Sequence, residues 1–489
     1  MKTFPLVLPV CLVLAATLLG EEAASRQDVE ALRSEVTELK QALAEQRQDF
    51  QTRQSLLAGA VERLAAKIDW QHSSRFGTPI SEDKPKDEGK GSDLEKEFEQ
   101  ALKGAETPKA PAPFAAVGSL KLIDIAFDIL TDAGTSTASE DELARLEVGD
   151  HDPKVRGVRM PNEELTLAGV VDPYFRGDAN VVFQIQPDGE TSVELEEAYF
   201  TTTSLPAGLQ LRGGQMFEQF GRINAMHPHT WDFVDHTVIN SRLFGPDGLR
   251  APTAELSWLT PMPFFAELTG AVIYGRGGTA LSFLDTEGDS FDGHVTGKRQ
   301  VASLEDLVYL IRAKTSFDLS DEWTLVNGAS ALFGPNSAGS EGNTQIYGMD
   351  FYLKWKPLNN DHGFPFVALQ AEAMGRRYQT GDGVDADGRP LANEVLNDWG
   401  CYAQATWGFS RGWVLGARYD YANGDGENAS DFLRDERNRG TVDLTYYPSE
   451  FSKIRLQTNV DAADHLDGED ESVWLQVEVL FGAHGAHKF

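Results

Sequence analysis

The stretch Ser472–Gly482, with the sequence SVWLQVEVLFG, decides the fold because its residue types alternate. Every second residue from Val473 to Phe481 is apolar, and the residues between them are Trp474, Gln476, Glu478 and Leu480. Successive side chains of a strand point to opposite faces, so this pattern predicts a β-strand with one apolar face. A strand of a soluble sandwich would fit equally well. The choice therefore depends on whether the pattern recurs along the chain.

The pattern recurs over the C-terminal three quarters of the sequence. Alternating runs bounded by turn residues predict about sixteen strands, an even number as a closed barrel needs. They cover 119–131, 164–174, 178–187, 192–203, 207–217, 252–260, 263–275, 306–318, 322–334, 345–357, 364–378, 397–410, 413–423, 438–448, 450–461 and 472–482.

The connections between these runs alternate in length. Short turns such as Ser410–Gly412 and Pro448–Glu450 take turns with mostly longer loops such as 218–251 and 276–305. Short turns at one end and long loops at the other are typical of an outer-membrane barrel. The sequence therefore predicts an all-β fold, a transmembrane antiparallel β-barrel of about sixteen strands over residues 117–489. The strand Ser472–Gly482 and the terminal Phe489 also resemble the C-terminal signature of bacterial outer-membrane β-barrels.

Composition limits the classes of function. The chain has 43 Lys and Arg against 76 Asp and Glu, and this acidic balance opposes binding of nucleic acid. The negative mean hydropathy does not exclude a membrane barrel, because lipid-facing residues alternate with lumen-facing ones. No Ser-His-Asp or Cys-His constellation is present, so we predict that the protein is not an enzyme.

The N-terminal quarter predicts export and self-association. The apolar run after Lys2 suits a signal peptide over residues 1–25. Heptad spacing predicts a periplasmic α-helical coiled coil over 26–72, which would make a homo-oligomer. Dimer and trimer both remain open, as do a lone helix lying on the barrel and a contact of the coil with peptidoglycan. A charged, Pro-rich linker with a short helix follows over 73–116.

The inward face of the predicted barrel carries charges of both signs. Charged side chains inside a barrel of about sixteen strands imply water, because unpaired buried charge is costly. For any one of them, a salt bridge within the wall is an alternative role. The predicted lumen-wall residues are Arg212, Arg312, Lys314, Asp350, Lys354, Glu372, Arg376, Arg418, Asp420, Asp443, Arg455 and Glu478.

The connection 218–251 is the third predicted outer loop, which in general porins folds inward and narrows the pore. We therefore expect its charged residues to form the constriction. They are Arg222, Asp232, Asp235, Arg242 and Arg250.

A family resemblance begins just before this loop. Glu197-Ala198-Tyr199, then Gly213-Gly214-Gln215-Met216-Phe217 and Phe220-Gly221-Arg222, resemble a motif of the phosphate-selective porin O and P family. The resemblance implies anion selectivity based on lumen-facing arginines. Carboxylates interleave with the arginines here, so we expect only weak charge preference.

The same loop also resembles a second group of proteins. Its His-Pro-His block and Phe244–Arg250 look like proteins labelled zinc-regulated TonB-dependent outer-membrane receptors. Such a receptor needs about 22 strands and a plug, which this length does not accommodate.

The histidines of the loop suggest a metal site. His227, His229 and His236, with Asp232 and Asp235, offer imidazole and carboxylate ligands suited to Zn²⁺, although their spacing matches no fixed motif and hydrogen bonds within the loop are the alternative. Acidic clusters at 382–387 and 461–471 have only part of the spacing of a Ca²⁺ loop, so solvated acidic loops are the better interpretation. No other cofactor is expected.

These patterns together predict an outer-membrane porin with a periplasmic extension. It would pass small polar or ionic solutes, with selectivity set by the third outer loop. Two alternatives remain, a channel or receptor-like barrel for divalent metal and a tether between outer membrane and cell wall.

Overall fold

A computed structural model describes residues 123–482, except 186–188, 285–289, 298, 340, 386, 426–430 and 432–433. The predicted signal peptide, coiled coil and linker, and the terminal Phe489, lie outside the described residues.

Sixteen antiparallel strands form one closed barrel, which confirms the predicted fold class for this part of the chain. Each strand pairs with its neighbours in sequence, and the last strand pairs with the first. The strands are β1 (Asp124–Ser136), β2 (Gly157–Val170), β3 (Phe175–Ile185), β4 (Thr191–Thr202), β5 (Leu209–Phe217), β6 (Arg250–Leu259), β7 (Phe265–Ile273), β8 (Val308–Ser320), β9 (Trp323–Pro335), β10 (Asn343–Trp355), β11 (Phe366–Gln379), β12 (Val395–Ser410), β13 (Trp413–Gly424), β14 (Arg437–Ser449), β15 (Ser452–Ala463) and β16 (Glu469–Gly482).

The alternation of β16 separates the two faces of the wall. Its apolar residues from Val473 to Phe481 are 38% to 55% exposed, whereas Trp474, Gln476, Glu478 and Leu480 are at most 5% exposed. Since the strands close into a ring, the exposed apolar face is the outside. Large apolar side chains cover that outside on the other strands as well, including Ile311, Met349, Trp399 and Trp407.

Aromatic pairs mark both ends of the outer surface. Trp323 and Trp355 meet at the end with the short turns, where their ring centroids are 6.4 Å apart. Trp399 and Tyr421 meet toward the opposite end at 4.9 Å. Amphipathic rings at the two rims are typical of a barrel that spans a bilayer.

The first strand differs from the sequence prediction. β1 continues past Thr131 to Ser136, because those residues complete the ladder with Ser472 to Val477 of β16. The extension contains Ala133, Gly134 and Ser136, which are poor strand formers, so the pattern alone did not reveal it. A Cβ on Gly134 would overlap the indole of Trp474, and only glycine permits this close approach.

Two short α-helices lie in the long connections. α1 (Glu140–Leu146) begins at a capping box, in which the Glu142 amide donates to Ser139 Oγ and the Ser139 amide donates to Glu142 Oε2. Its Leu143 and Leu146 pack on Trp474 inside the barrel. α2 (Val238–Phe244) lies in the loop between β5 and β6, and all seven of its residues are buried.

The remaining short elements lie in turns and loops. Single turns of 3₁₀-helix occur at Pro206–Gly208, Pro228–Thr230, Gly278–Ala280 and Leu304–Asp306. Two-residue strands pair at Ser290–Phe291 with His294–Val295 and at Gly383–Val384 with Pro390–Leu391. None of the helices in the described ranges is long and apolar enough to cross a membrane.

Candidate functional site: the inward loop and the wall it contacts

The connection between β5 and β6, residues 218–249, lies inside the barrel. The Gly221 amide donates to Ser330 Oγ on β9 at 3.2 Å, and the Val234 amide donates to Gln457 Oε1 on β15 at 2.7 Å. One segment thus contacts walls that are six strands apart in the ring. The third outer loop therefore folds inward, as its position in the chain predicts.

An apolar cluster holds the middle of this loop together. Ile239, Leu243 and Phe244 of α2 are fully buried, and Phe244 meets the ring of Phe220 edge-on at 5.1 Å. The cluster continues onto inward residues of the wall, including Leu310 and Ile346. The loop is therefore a packed body within the barrel.

Asp235 fixes the loop to the wall of β13–β15. Its carboxylate pairs with Arg418 and, at 3.2 Å, with Arg439, and it accepts a hydrogen bond from Asn459 at 2.8 Å. Burial opposes ionisation of this carboxyl, but the two guanidinium groups outweigh burial and hold its pKa below the usual value. Asp235 therefore stays charged and bound.

Most of the predicted lumen-wall charges are paired along the wall. Glu372 instead accepts hydrogen bonds from the loop amides of Arg222 (3.0 Å) and Ile223 (2.8 Å), and Lys354 lies 5.0 Å from the ring centre of Phe366. The wall pairs are Arg212–Glu255 (2.7 Å), Arg312–Asp350 (2.8 Å), Lys314–Glu267 (3.1 Å), Arg376–Asp398 (2.8 Å), Arg418–Asp420 (2.7 Å), Arg455–Asp443 (3.7 Å) and Lys453–Glu478 (2.5 Å).

Two of the five predicted constriction residues are partly exposed on the loop. Arg222 donates to Gln370 Oε1 at 2.7 Å, and its guanidinium carbon lies 3.9 Å from the ring centre of Tyr352. Asp232 accepts from Gln404 at 2.7 Å, and its pKa is raised by burial against the opposing effect of Arg455 and Arg222. Charges of both signs thus face the same part of the lumen.

The other three constriction residues are buried. Asp235 is bound as described, and Arg242 donates to the carbonyl oxygens of Arg434 (3.4 Å) and Asp435 (2.6 Å). Arg250 lies at the start of β6 and not in the loop, and its guanidinium pairs with Asp247 and Glu194. These side chains hold the loop in place.

The predicted metal ligands separate into two groups. His236 stacks on Trp231 with centroids 4.7 Å apart, accepts from Asn240 Nδ2 at 2.9 Å and donates to Ser241 Oγ at 3.0 Å. Burial lowers its pKa to about 4. Asp232 and Asp235 are engaged elsewhere. Only His227 and His229 of the predicted set lie together, with ring centroids 5.7 Å apart.

His227 lies among three carboxylates of the wall. Its Nδ1 is 2.9 Å from Glu196 and 3.3 Å from Glu164, and its Nε2 is 2.9 Å from Glu197. His229 Nδ1 lies 3.1 Å from Glu164. Burial disfavours the charged imidazole, but the carboxylates of Glu164 and Glu196 outweigh it and raise the pKa of His227 well above its usual value.

A β-bulge on β4 brings two consecutive glutamates to this cluster. Asn180 of β3 pairs with Glu197 while Val181 pairs with Leu195, so Glu196 is the extra residue. Both Glu196 and Glu197 are therefore buried inside the barrel. Strict alternation would have directed one of the two outward.

A second histidine group adjoins the first. His151, from the loop between β1 and β2, places Nε2 3.4 Å from Asp247 Oδ1 and 3.9 Å from Glu196 Oε1. Burial opposes protonation, but Asp247 outweighs it and raises the pKa of His151 to about 9. Donor atoms of His151, Glu196 and Asp247 lie within 4.8 Å of one another, as do those of Glu164, Glu196 and His227.

Sequence reasoning missed four residues of these two groups. The four residues are His151, Glu164, Glu196 and Asp247, which are spread over almost one hundred positions, and no local spacing connects them. The one available signal was the run Glu194–Glu197, which is unusually acidic for a strand that faces lipid on one side.

The acidic clusters at 382–387 and 461–471 place some of their carboxylates in ion pairs with arginines. Arg389 pairs with Asp387 at 2.9 Å and with Asp385 at 3.7 Å. Asp461 pairs with Arg437 and Arg439, each at 2.8 Å. In each cluster arginine therefore already neutralises part of the carboxylate charge.

Comparison with known proteins places these features in context. No protein-family model matches the chain. Similar solved structures, each covering 73% of this chain, include the outer-membrane channel DcaP of Acinetobacter baumannii (14% identity, TM-score 0.46, 97% of that chain), an anion-selective porin from Comamonas acidovorans (7%, 0.43, 99%) and the trimer form of OmpT from Vibrio cholerae (7%, 0.44, 99%).

A relative with closer sequence similarity comes from Aquifex aeolicus (strain VF5). The two sequences are 31% identical over 350 residues, which cover 68% of this chain and 70% of the relative. The chain therefore belongs to the same family as this uncharacterized protein of Aquifex aeolicus.

Proposed function

We propose that the protein is an outer-membrane porin, a water-filled channel for small polar or ionic solutes whose selectivity is set by the inward loop 218–249. The observation that carries the proposal is the division of the wall: apolar side chains outside, charged side chains inside, and a loop that brings Arg222 and Asp232 into the lumen. Hydrocarbon can cover the first surface, and only water or ion pairing can satisfy the second.

Barrel closure supports the membrane part of the proposal. A bilayer offers no hydrogen bonds to backbone groups, so a spanning sheet must have no open edge. The pairing of β1 with β16 removes both edges. Isolated charges are also absent from the outward face of β16, between Val473 and Phe481.

Ion selectivity tests the role of the loop. In planar bilayers under a salt gradient, Arg222→Glu should shift the reversal potential toward cation preference, and Asp232→Asn should shift it toward anion preference, because fixed charge at a narrow point filters ions. Arg389→Glu, on an exposed outer loop, is the matched control and should change selectivity little. A protein that forms no pores, or loop variants that keep wild-type selectivity, would contradict the proposal.

A divalent-metal channel is the second candidate function. The observation that favours it is the cluster of imidazoles and carboxylates around His227, which offers ligands suited to Zn²⁺ on the lumen side of the wall. Liposomes loaded with a zinc-sensitive dye would separate the candidates. A general porin passes zinc and other small ions alike, whereas a metal channel passes zinc preferentially at low concentration.

Self-association and a cell-wall tether extend the proposal through residues 26–72. Deleting 26–72 should leave pores intact, reduce the oligomer to single barrels and abolish retention on peptidoglycan, if the coil performs both roles. Sedimentation in detergent and a cell-wall pull-down measure the two effects separately.

A further inference from the structure

The carboxylate of Glu196 faces two separate groups of ligand atoms. Its Oε2 lies 2.9 Å from His227 Nδ1, in the group that also contains Glu164. Its Oε1 lies 3.9 Å from His151 Nε2, in the group that also contains Asp247. Each of the two carboxylate oxygens of Glu196 therefore faces one of the two groups.

The spacing within the groups suits metal coordination. Two ligands of a tetrahedral Zn²⁺ with bonds of about 2.0 to 2.1 Å stand about 3.3 Å apart. His227 Nδ1 lies 2.9 Å from Glu196 and 3.3 Å from Glu164, and His151 Nε2 lies 3.4 Å from Asp247. Small shifts of the side chains would complete either site.

The opposite atom of each histidine is already held. His151 Nδ1 donates to the Pro161 carbonyl oxygen at 2.9 Å, so Nε2, which faces Asp247, is the nitrogen that would exchange its proton for a metal ion. His227 Nε2 lies 2.9 Å from Glu197, which leaves Nδ1 toward Glu196 and Glu164. A second partner of this kind fixes the ring and tautomer of a histidine that binds metal.

The carboxylates are oriented in the same way. Asn180 Nδ2 donates to Glu164 Oε1 at 2.5 Å, which leaves Oε2 toward His227. Arg250 pairs with Asp247 Oδ2, which leaves Oδ1 toward His151. Each residue of a group thus turns one ligand atom toward the other members of that group.

Two of these ligand atoms are buried and make only ion-pair contacts among the described residues, at 3.4 Å to Asp247 and at 2.9 Å to His227 respectively. They are His151 Nε2 and Glu196 Oε2, on residues that are only 4% and 2% exposed. Buried polar atoms nearly always have a well-aligned hydrogen-bond partner, and these two atoms converge on neighbouring ligand atoms without one in the described part of the chain, an arrangement that a metal ion would satisfy.

We propose that Glu196 bridges two divalent transition-metal ions, one held with Glu164 and His227 and the other with His151 and Asp247. Nitrogen and carboxylate ligands without thiolates suit Zn²⁺ and its first-row neighbours. His229, 3.1 Å from Glu164, would orient that carboxylate or add a fourth ligand. The site would attach two outer loops to β2 and β4, a role that does not depend on conduction.

Zinc binding by the detergent-solubilised full chain tests the proposal. Titration calorimetry with ZnCl₂, together with metal content after dialysis, should give about two ions per wild-type chain. His151→Gln and His227→Gln should each retain about one ion, and Glu196→Gln should bind at least about tenfold more weakly. His236→Gln and the exposed His362→Gln are controls and should keep both ions.

The variants also separate loss of ligands from loss of fold. Strand content by circular dichroism identifies a misfolded protein; if Glu196→Gln fails to fold, the two single-histidine variants decide. The absorption spectrum of bound Co²⁺ should change in each of them, since each removes a nitrogen ligand. One ion per wild-type chain, or stoichiometry unchanged by His151→Gln and His227→Gln, would overturn the two-ion site. Pore formation is measured separately, so failure of the metal site leaves the proposed channel standing.

Discussion

The inward loop is held on two sides of the barrel by opposite arrangements of charge. Against β13–β15, the loop supplies the carboxylate, Asp235, and the wall supplies the cations, Arg418 and Arg439. Against β2 and β4, the loop supplies an imidazole, His227, and the wall supplies carboxylates. The first contact joins arginines to a carboxylate whose pKa is held below its usual value, whereas in the second an imidazole faces several carboxylates whose charge it only partly balances.

We call the contact of Asp235 with Arg418 and Arg439 the fixed anchor, and the contact of His227 with Glu164 and Glu196 the conditional anchor. Arginine keeps its proton at any ordinary pH and the pKa of Asp235 is held below its usual value, so the Asp235 contact should persist at neutral pH. An imidazole can exchange its proton for a metal ion, which changes what balances the charge of the carboxylates around it. The His227 contact with β2 and β4 should therefore respond to the concentration of metal ions, whereas the Asp235 contact with β13–β15 should not.

Removing the fixed anchor should have the largest effect. Asp235→Ala leaves Arg418 and Arg439 buried with one fewer carboxylate, and breaking a buried ion pair costs about 3–5 kcal/mol of unfolding free energy. Urea unfolding in lipid vesicles measures the loss, and limited proteolysis tests release of the loop. Asp387→Ala, at an exposed ion pair, should change stability by less than about 1 kcal/mol. Equal losses in the two variants would contradict the anchor.

Acid should weaken the loop through His236, which belongs to neither contact. Its folded pKa of about 4 lies below the ordinary value of 6.5, so the unfolded chain binds more protons between these values. Stability should fall by about 3 kcal/mol as the pH drops from 6.5 to 4. In His236→Gln this part of the pH dependence should disappear, while His362→Gln should retain it. A wild-type profile that is flat in this range would contradict the burial of a neutral imidazole.

Zinc should raise the unfolding free energy of the protein only through the contact of His227 with Glu164 and Glu196. At a free concentration about 100 times the dissociation constant, binding to the folded state adds about 2.7 kcal/mol to the unfolding free energy. The gain should be absent in Glu196→Gln and fully present in Asp235→Ala, because the two contacts share no residue. A zinc effect that is lost equally in both variants would show that the two sides act as one unit.

The strands could be predicted from sequence because the alternation of apolar and polar residues within each strand follows directly from the surroundings of its two faces. Alternation in β16 between Val473 and Phe481 is a local consequence of lipid on one side and protein on the other. The same argument found all sixteen barrel strands, with errors at their ends. β1 was displaced because its last residues are held by β16, which lies more than 300 residues away in sequence.

The site was harder to predict because it depends on contacts between distant segments. His227 and Glu164 meet only once the barrel has closed and the loop has folded inward. The bulge at Glu196 breaks the period of two on which face assignment depends. His236 had the residue type of a ligand, yet its neighbours Trp231 and Asn240 bury it elsewhere. The residue types indicated which side chains are able to bind a metal ion, but they did not indicate which of these side chains lie close together in the folded chain.

The seam between β1 and β16 has a consequence for biogenesis. The strand that the ribosome makes first ends up beside the strand that it makes last, in a ladder that runs from Ala126–Gly482 to Ser136–Ser472. Until Gly482 has been synthesised, every growing intermediate would have an edge strand whose backbone hydrogen-bonding groups are unpaired, and such an edge is costly in a membrane. Insertion into the membrane should therefore follow translation. Before insertion, the chain would need a chaperone that covers the apolar faces of its strands.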